Sequence, residues 1–381
     1  MAVSVPSGSS ASSVPFAVPS TAPSTTPSAA AAAETGSATA TPTDASSGAR
    51  WAHRILVALG GNAMSAPDGS ATEADQIAAL GVAAGHIARL VEAGFDVAIT
   101  HGNGPQVGNL LVKNEIAAGI VPPVSLDWCG ANTQGTVGFV LQNALAREFD
   151  RHGVSRPTAA LVTRTLVDAA DPAFENPDKP VGRFRMKDEA QPLIDAGQQW
   201  RDFGDRGWRR VVPSPKPVRV LDASTGRQLL DLGYVVILSG GGGIPVVEQP
   251  SGLAGVEAVI DKDRAAAILA AELGADVLVI ATDVPAAVIG FGTPEARALG
   301  HVSLAEMREL AAAGHFGAGS MGPKVEAACA FVAGGGHASV ITSLEKLGEV
   351  FTSPLGAVGT VITMAGPPEP AGGAAAGANG R

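Results

Sequence analysis

Short apolar runs alternate with amphipathic stretches along most of the chain. The run RILVAL (54–59) ends at a pair of glycines and has the length and composition of a buried strand. From residue 72 to residue 93, apolar side chains recur every three or four positions until Gly94 interrupts them. That spacing predicts an amphipathic helix, so the regular part of the chain begins with a strand followed by a helix.

The same alternation continues toward the end of the chain. It predicts further helices up to about residue 151 and at 225–232, 262–274, 303–313 and 323–333. It predicts further strands at FDVAIT (95–100), TAALVT (158–163), YVVILS (234–239), DVLVIA (276–281), ASVIT (338–342) and GTVIT (359–363). Buried strands separated by helices indicate an α/β fold, in which a mostly parallel sheet is covered by helices on both faces.

Residues 164–219 interrupt this rhythm with many prolines and charged side chains. The segment is too long for a simple connection, which predicts a subdomain or flap. It holds 11 of the 26 Lys and Arg residues beside nine acidic residues, whereas the whole chain has a formal charge of −10. A basic insert on an acidic body suggests a cover over an anionic ligand.

The two ends of the chain have compositions typical of disorder. Residues 1–50 are mostly Ala, Ser, Thr and Pro, with only Glu34, Asp44 and Arg50 charged, and they lack the basic start and apolar run of a secretory signal. Residues 365–381 are rich in Ala, Gly and Pro. We expect a disordered leader over 1–50, a globular domain over 51–364 and a flexible tail over 365–381.

Composition narrows the possible functions. No stretch approaches the roughly 20 apolar residues of a membrane helix, and the acidic charge argues against nucleic-acid binding through a basic surface. The two cysteines, Cys129 and Cys329, cannot form a disulfide framework or a metal cluster, which suits a reducing cytoplasm. Either thiol could be a nucleophile, but a small buried hydrophobic side chain is the favoured interpretation. We therefore expect a cytoplasmic protein with neither a membrane nor a nucleic-acid partner.

Glycines follow three of the predicted strands. The loops GGNA, HGNGPQVG and GGGGIP each begin where an apolar run ends. Ligands of parallel sheets bind beyond the carboxyl ends of the strands, and glycine lets backbone N–H groups approach an anion. Any one loop could be only a tight turn, but three at equivalent strand ends favour an anion site. Neither a Walker loop nor a dinucleotide fingerprint fits, because GAGSMGPKV lacks the Gly-Lys-Ser/Thr ending and GNGPQVG places its third glycine one residue too far.

Two lysines occupy positions that helix electrostatics disfavours. If Asp261 caps the predicted helix, Lys262 lies in its first turn, where a cation costs about 0.3–1 kcal/mol. Pro323 is predicted as the first residue of another helix, which puts Lys324 in the same situation. Both could be solvated surface charges, but the chain uses only 7 lysines against 19 arginines. We therefore predict that the two lysines bind a polyphosphate and a transferring phosphoryl group, with Asp263 holding their ammonium groups in place and protonated.

These motifs together resemble those of carbamate kinase, a member of the amino acid kinase superfamily. The matching stretches, in order, are VALGGNA, HGNGPQVGNLL, NTQGTVGF, FENPDKPVG, GWRRVVPSPKP, GGGGIPVVE, GVEAVIDKD, GHFGAGSMGPKVEAA and ITSLEKLGEV. They cover nearly all of residues 56–363. The stretches RRVVPSPKP and DKPVG are specific to carbamate kinases, whereas the glycine loops alone indicate only the superfamily.

The resemblance implies a fold and a reaction. The fold is a three-layer αβα sandwich with an open, mainly parallel sheet and a protruding subdomain at about 164–220. The reaction is the reversible one of ATP, bound with Mg²⁺, and carbamate to give ADP and carbamoyl phosphate, in the arginine metabolism of the cell. A homodimer is also implied. We expect no metal ligand from the chain, because Mg²⁺ is held chiefly by the nucleotide phosphates and water.

The resemblance also assigns roles to individual positions. The catalytic residues are Lys262, Lys324, Lys179 and Asp263, with Lys179 reaching from the subdomain to the acceptor side. The phosphoryl group and carbamate lie on the loops at Gly60, Gly61, Asn62, Gly102, Asn103 and Gly104. Contacts to the nucleotide are assigned to Gly241, Gly242, Asp283 and Met321. One departure is that residues 281–292 lack the tyrosine expected to face the adenine, since the chain's only tyrosine is Tyr234.

Two other functions fit part of the pattern. A relative within the superfamily could phosphorylate another small acid, such as acetylglutamate, but such enzymes lack the insert at 164–219. A nucleotide-binding regulator without catalysis is a second alternative, which the presence of all four predicted catalytic residues disfavours.

Overall fold

The computed structural model describes residues 52–64, 72–317 and 321–367. The predicted leader over 1–50 lies outside these ranges, as do residues 368–381 of the predicted tail. The described strands are β1 (Arg54–Leu59), β2 (Asp96–His101), β3 (Thr158–Ala160), β4 (Arg164–Val167), β5 (Lys179–Arg185), β6 (Trp200–Asp202), β7 (Trp208–Val212), β8 (Pro217–Val220), β9 (Val235–Ile237), β10 (Ile244–Gln249), β11 (Gly252–Gly255), β12 (Val277–Thr282), β13 (Val288–Ile289), β14 (Arg297–Ala298), β15 (His301–Ser303), β16 (Ala338–Ser343) and β17 (Thr360–Thr363). The described helices are α1 (Glu73–Glu92), α2 (Gly104–Ala117), α3 (Leu126–His152), α4 (Lys187–Asp195), α5 (Ala223–Asp231), α6 (Lys262–Leu273), α7 (Leu304–Ala312), α8 (Met321–Ala333) and α9 (Leu347–Val350).

An eight-stranded sheet runs through the molecule in the order β15-β17-β16-β12-β1-β2-β9-β3. Its pairs are parallel except for β16 with β17, which are antiparallel. Six strands, from β16 to β3, therefore end at the same edge. The prediction of a mainly parallel sheet is confirmed.

Helices cover both faces of this sheet. In β1, the side chains of Ile55 and Val57 face one way and pack with α1 and α3, in a cluster that includes Ile87 and Leu141. The intervening Leu56 faces the other way, into a cluster with α5, α6 and α8. All of these side chains are buried, and burying one of this size stabilises the fold by about 1.5–3 kcal/mol. The predicted three-layer αβα sandwich is confirmed.

The predicted helix at 72–93 is present as α1, and its start follows from its sequence. The Thr72 hydroxyl accepts a hydrogen bond from the Asp75 backbone N–H at 3.3 Å, and the Asp75 carboxylate accepts one from the Thr72 backbone N–H at 3.1 Å. This reciprocal capping satisfies two N–H groups that a helix start leaves unpaired. Local side-chain chemistry therefore fixes the beginning of the helix.

Four predicted boundaries were wrong by two or three residues, and one of them is the start of the helix predicted at 225–232, which begins at Ala223. The strand TAALVT ends at Ala160, because the side chain of Gln134, rather than a neighbouring strand, accepts a hydrogen bond from the Thr163 N–H at 2.7 Å. The strand YVVILS ends at Ile237, and Ser239 then turns into the left-handed region with φ 54°. The last predicted helix begins at Met321 rather than at Pro323, because proline fits anywhere in a first turn, where N–H groups have no acceptor within the helix.

The segment after residue 163 contributes two smaller sheets. One has the order β11-β10-β4-β8, and the other, which we call the flap, has the order β5-β7-β6. The flap packs against α2 and α3 through Val181 and Val212, which share a cluster with Val107 and Cys129. The subdomain boundary at 164–220 stays a prediction, since β4 and β8 pair in a sheet that continues to Gly255.

Both cysteines are buried, in agreement with the packing role predicted for them. Burial raises the pKa of the Cys329 thiol to about 11, so that thiol stays protonated at neutral pH.

Among the helices of the described residues, none combines the length and the hydrophobicity that crossing a membrane would require.

Candidate active site

Two glycine loops meet where β1 and β2 end side by side. Leu59, the last residue of β1, is in register with His101, the last residue of β2. The Gly102 N–H donates a hydrogen bond to the Leu59 carbonyl at 3.1 Å, and a Cβ on Gly102 would lie 3.8 Å from the Gly61 nitrogen. A Cβ on Gly60 would lie 2.9 Å from the carbonyl oxygen at the end of β12. The ends of three adjacent strands therefore form one shelf of closely spaced backbone.

The asparagines predicted for these loops lie on this shelf as well. Asn62 belongs to the turn Gly61–Met64, and its side chain lies outside the described part of the chain. Asn103 precedes α2, whose first residue is Gly104, and its side-chain amide donates to the Thr133 hydroxyl at 2.9 Å. The N-terminus of α2, with its unpaired N–H groups, thus opens at the same strand ends.

The third glycine loop closes over the second. Gly241 has φ 67°, and a Cβ there would overlap the Asn103 carboxamide. Gly242 has φ 90°, and a Cβ there would lie 2.9 Å from the Ile260 carbonyl oxygen. Both positions therefore require glycine for conformation and for space, and the loop brings β9, α2 and the start of α6 into contact.

The lysines of the two helix starts lie on one carboxylate. Asp261 caps α6 by accepting hydrogen bonds from the Asp263 and Arg264 N–H groups at 3.0 and 3.3 Å, as the sequence predicted. The Lys262 ammonium lies 2.5 Å from one oxygen of Asp263, and the Lys324 ammonium lies 3.0 Å from the other. The three side chains are between 7% and 15% exposed. Two helix N-termini are thereby joined at a single buried anion.

Lys262 also adjoins the glycine shelf, since a Cβ on Gly102 would lie 3.7 Å from the Lys262 Cδ atom. Burial lowers the pKa of Lys262, and Lys324 lowers it further, while the bond to Asp263 opposes both. Asp263 thus acts on the pKa of Lys262 in the predicted direction, although burial outweighs it and leaves the net pKa below its usual value. That Asp263 keeps both lysines protonated stays a prediction. Burial acts to raise the pKa of Asp263, but the two lysines outweigh it and hold the net pKa below its usual range.

Lys179 joins this group from the flap. Its ammonium lies 2.8 Å from the second oxygen of Asp261, the cap of α6, and its side chain is 41% exposed. Burial acts to raise the pKa of Asp261, but Lys179 and the two backbone N–H groups outweigh it and hold the pKa below its usual range. Three ammonium groups thus face two carboxylates at the start of α6, which leaves one positive charge for a ligand.

The two remaining predicted residues lie further from this cluster. Asp283 is exposed one residue beyond the end of β12, and within the ranges described it forms no ion pair. Met321 opens α8, three residues before Lys324, and packs half-buried against the hydrophobic cluster on that face of the sheet. Both lie at the edge of the sheet where the parallel strands end. Neither contacts the lysine cluster through a hydrogen bond that the structure describes.

The sequence analysis missed two polar residues that support the glycine loops. His101 is buried, and its Nδ1 lies 2.6 Å from the Gly102 carbonyl oxygen. Burial lowers the pKa of His101 to about 4, so the ring is neutral at pH 7 and its Nδ1–H donates this bond. Gln134 donates to the carbonyls of Thr163 and Gly240, at 3.1 and 3.0 Å. His101 opens the motif HGNGPQVG and Gln134 lies in NTQGTVGF. A polar side chain within an otherwise buried segment was the signal that could have indicated their supporting role.

The described part of the chain holds no group of three or more His, Cys, Asp or Glu side chains placed to bind a metal ion. Asp261 and Asp263, the carboxylates at the start of α6, are each already bonded to lysine. A divalent ion at this site would therefore take its ligands mainly from a bound substrate and water.

The chain is similar to known proteins over most of its length. Residues 53–343 match the model of the amino acid kinase family. The chain is 42% identical over 313 residues to the carbamate kinase of Pyrococcus horikoshii, an alignment covering 81% of this chain and 99% of that protein. It is 44% identical over 312 residues to carbamate kinase 1 of Enterococcus faecium, with 81% and 99% covered. The structure of carbamate kinase from Giardia lamblia bound to AMP-PNP superimposes with a TM-score of 0.77 at 40% identity, covering 82% of this chain and 98% of that one.

Proposed function

The chain belongs to the carbamate kinases of the amino acid kinase family, and from that premise we propose that it transfers a phosphoryl group reversibly between ATP and carbamate at the lysine cluster of α6, α8 and the flap. The observation that carries the proposal is the pairing of Lys262 and Lys324 on the two oxygens of Asp263. It places two cations from distant parts of the chain where helix N-termini already favour anions.

The proposed step needs positioning and charge more than covalent help. A carbamate oxygen forms a bond to the terminal phosphorus of ATP while the bond from that phosphorus to the bridging oxygen breaks, giving carbamoyl phosphate and ADP. Carbamate is already an anion, so no residue has to act as a base. Negative charge shifts onto the transferring group and the leaving oxygen, and fixed ammonium groups stabilise that charge in a site from which much water is excluded.

In this proposal some residues bind the transferring phosphoryl group and the nucleotide, and others bind the acceptor, carbamate. Lys262 and Lys324 stabilise the transferring phosphoryl group, and Lys179 reaches the acceptor side from the flap. The shelf of Gly60, Gly61, Asn62, Gly102, Asn103 and Gly104 holds the phosphoryl group and carbamate through backbone N–H groups. Gly241, Gly242, Asp283 and Met321 contact the nucleotide. The Lys262 side chain lies close to Gly102 on the shelf, which supports placing the phosphoryl group between that lysine and the shelf.

Magnesium is proposed to arrive with the nucleotide. The family uses ATP, whose phosphates bind this ion, and the described carboxylates of the site are occupied by lysines. When bound, Mg²⁺ supplies further positive charge to the phosphates. The chain's own contribution is to hold its three ammonium groups in a fixed arrangement.

A homodimer is proposed through the exposed face of α3. Trp128 and Phe139 are 63% and 62% exposed, although large apolar side chains are usually covered. They lie three helical turns apart on one stripe, with Asn132, Gly135 and Thr136 between them. Small residues between two aromatic side chains suit close packing of a helix against its symmetric copy. Sedimentation velocity should show a dimer, and Phe139→Glu should yield monomer; a monomeric wild-type chain would refute the assignment.

A coupled assay tests the reaction. Incubation with ADP, Mg²⁺ and synthetic carbamoyl phosphate should form ATP, measured through hexokinase and glucose-6-phosphate dehydrogenase. Acetylglutamate with ATP should give no product. Binding of ADP without formation of ATP would support a nucleotide-binding regulator and overturn the proposal.

A further inference from the structure

The segment 257–261, which leads into α6, runs along the flap and bonds to it at every second residue. Its contacts are the Glu257 carboxylate with the Arg210 guanidinium at 3.3 Å, the Val259 N–H with the Pro213 carbonyl at 3.0 Å, and the Asp261 carboxylate with the Lys179 ammonium at 2.8 Å. We call residues 257–261 the connecting segment. Because it ends at the cap of α6, it links the position of the flap to the start of the helix that carries Lys262.

Of these three contacts, that of Asp261 reaches the lysine cluster. One of its oxygens accepts the N–H groups of Asp263 and Arg264, and the other accepts the ammonium of Lys179. A single carboxylate therefore holds the first turn of α6 and the flap lysine together. The Asp261 side chain is only 14% exposed, whereas that of Lys179 is 41% exposed, so the pair is shielded from water mainly on the carboxylate side.

The negative charge of Asp261 is not required for its capping role. Asparagine and serine cap helices about as well as aspartate, and they do so without a charge. A second buried carboxylate two residues from Asp263 is also unfavourable unless a cation offsets it. Since Asp263 already bonds both Lys262 and Lys324, the cation that offsets Asp261 is Lys179.

We propose that Asp261 is the positioning residue for Lys179, holding its ammonium at the N-terminus of α6 so that the flap enters the site in one fixed arrangement. The inference rests on the proposed function, because it assigns Lys179 to the acceptor side of the phosphoryl transfer. Asp261 acts through Lys179 and does not itself contact the reacting atoms.

The test compares variants that keep the cap but remove the charge. Asp261→Asn and Asp261→Ser should both retain a melting temperature close to that of the wild type and lower kcat by about tenfold, the order seen when an orienting partner is lost. Glu257→Gln is the matched control: it removes the Arg210 ion pair from the same segment and should stay within about twofold of the wild type. Wild-type kcat in both Asp261 variants would overturn the proposal.

A double-mutant cycle separates positioning from any independent effect. In a Lys179→Met background, adding Asp261→Asn should change kcat by less than about twofold, because the group that Asp261 positions is already absent. If Asp261→Asn costs the same factor with and without Lys179, then Asp261 acts through another group and the inference is wrong.

Hydrogen exchange provides a readout that does not depend on turnover. In the peptide covering residues 179–185, amide exchange should be faster in Asp261→Asn than in the wild type and unchanged in Glu257→Gln. Equal exchange in wild type and Asp261→Asn would show that the ion pair does not hold the flap, which overturns the inference. A wild-type chain that makes no ATP would instead remove the proposed function, and the exchange experiment would still decide the contact.

Discussion

The ammonium of Lys324 lies 3.0 Å from the carboxylate of Asp263, across 61 positions of sequence and between the first turns of two different helices. Lys262 occupies the other oxygen of the same carboxylate. Each lysine alone is a cation in an unfavourable position at a helix start. Together they form a fixed positive site on one carboxylate, and we propose that a migrating phosphoryl group replaces that carboxylate as their nearest anion.

Replacing Lys262 should remove most of the activity without unfolding the protein. We expect Lys262→Ala to lower kcat by at least about a hundredfold, as loss of a preorganised charge at a developing anion usually does. Lys346→Ala is the control, because Lys346 pairs only with Glu349 on an exposed turn in the described structure. The coupled assay for ATP measures both variants. Near-normal turnover in Lys262→Ala would show that the transferring group lies elsewhere.

Replacing Asp263 should move the alkaline limit of activity. In the proposed reaction Lys262 acts as an ammonium, so we expect kcat to fall as pH rises through the pKa of Lys262, which burial has already lowered. Asp263 raises that pKa, so Asp263→Asn should shift the alkaline limb of the pH–rate profile to lower pH. In Lys262→Arg the side chain stays charged, and that limb should disappear even though the rate is lower. An alkaline limb at the same pH in the wild type and Asp263→Asn would assign the limb to another group.

The sequence predicted the parts of the structure that depend on local pattern. The strand at 54–59 and the helices at 72–93 and 303–313 were found within one residue, because apolar periodicity and capping residues act over a few positions. The cap at Asp261 was predicted for the same reason. These features need no knowledge of what packs against them.

The features that the sequence did not predict depend on contacts between distant segments. Gln134 shortens β3 by bonding Thr163, 29 residues away, and nothing in TAALVT itself signals this. The second bond of Asp261, to Lys179, spans 82 positions and follows from how the flap folds back. Similarly, His101 resembles any histidine in a glycine-rich motif until its burial beneath the third glycine loop is known.

The third glycine loop should tolerate a methyl group poorly at Gly241. An alanine there would adopt φ 67°, which costs about 1–2 kcal/mol, and its Cβ would overlap the Asn103 carboxamide, so the loop must shift. We expect Gly241→Ala to raise KM for ADP at least several-fold. Gly233→Ala is the matched control, since its φ of 85° has the same conformational cost while its Cβ would meet nothing within 4 Å. Equal KM values in the two variants would mean that the contact with Asn103 has no role in binding.

His101 should make the protein sensitive to mild acid. Its pKa is about 4 in the folded protein and 6.5 in an exposed histidine, so the unfolded chain binds a proton at higher pH than the folded one does. Stability from this residue is therefore complete above pH 6.5 and falls as pH drops toward 4, by roughly 3 kcal/mol in all. Urea unfolding at pH 7 and pH 4.5 should show a larger loss in the wild type than in His101→Asn, whose carboxamide can still donate to the Gly102 carbonyl. His53→Asn, at an exposed histidine, should lose as much stability as the wild type. Parallel losses in the wild type and His101→Asn would contradict a buried neutral ring at this position.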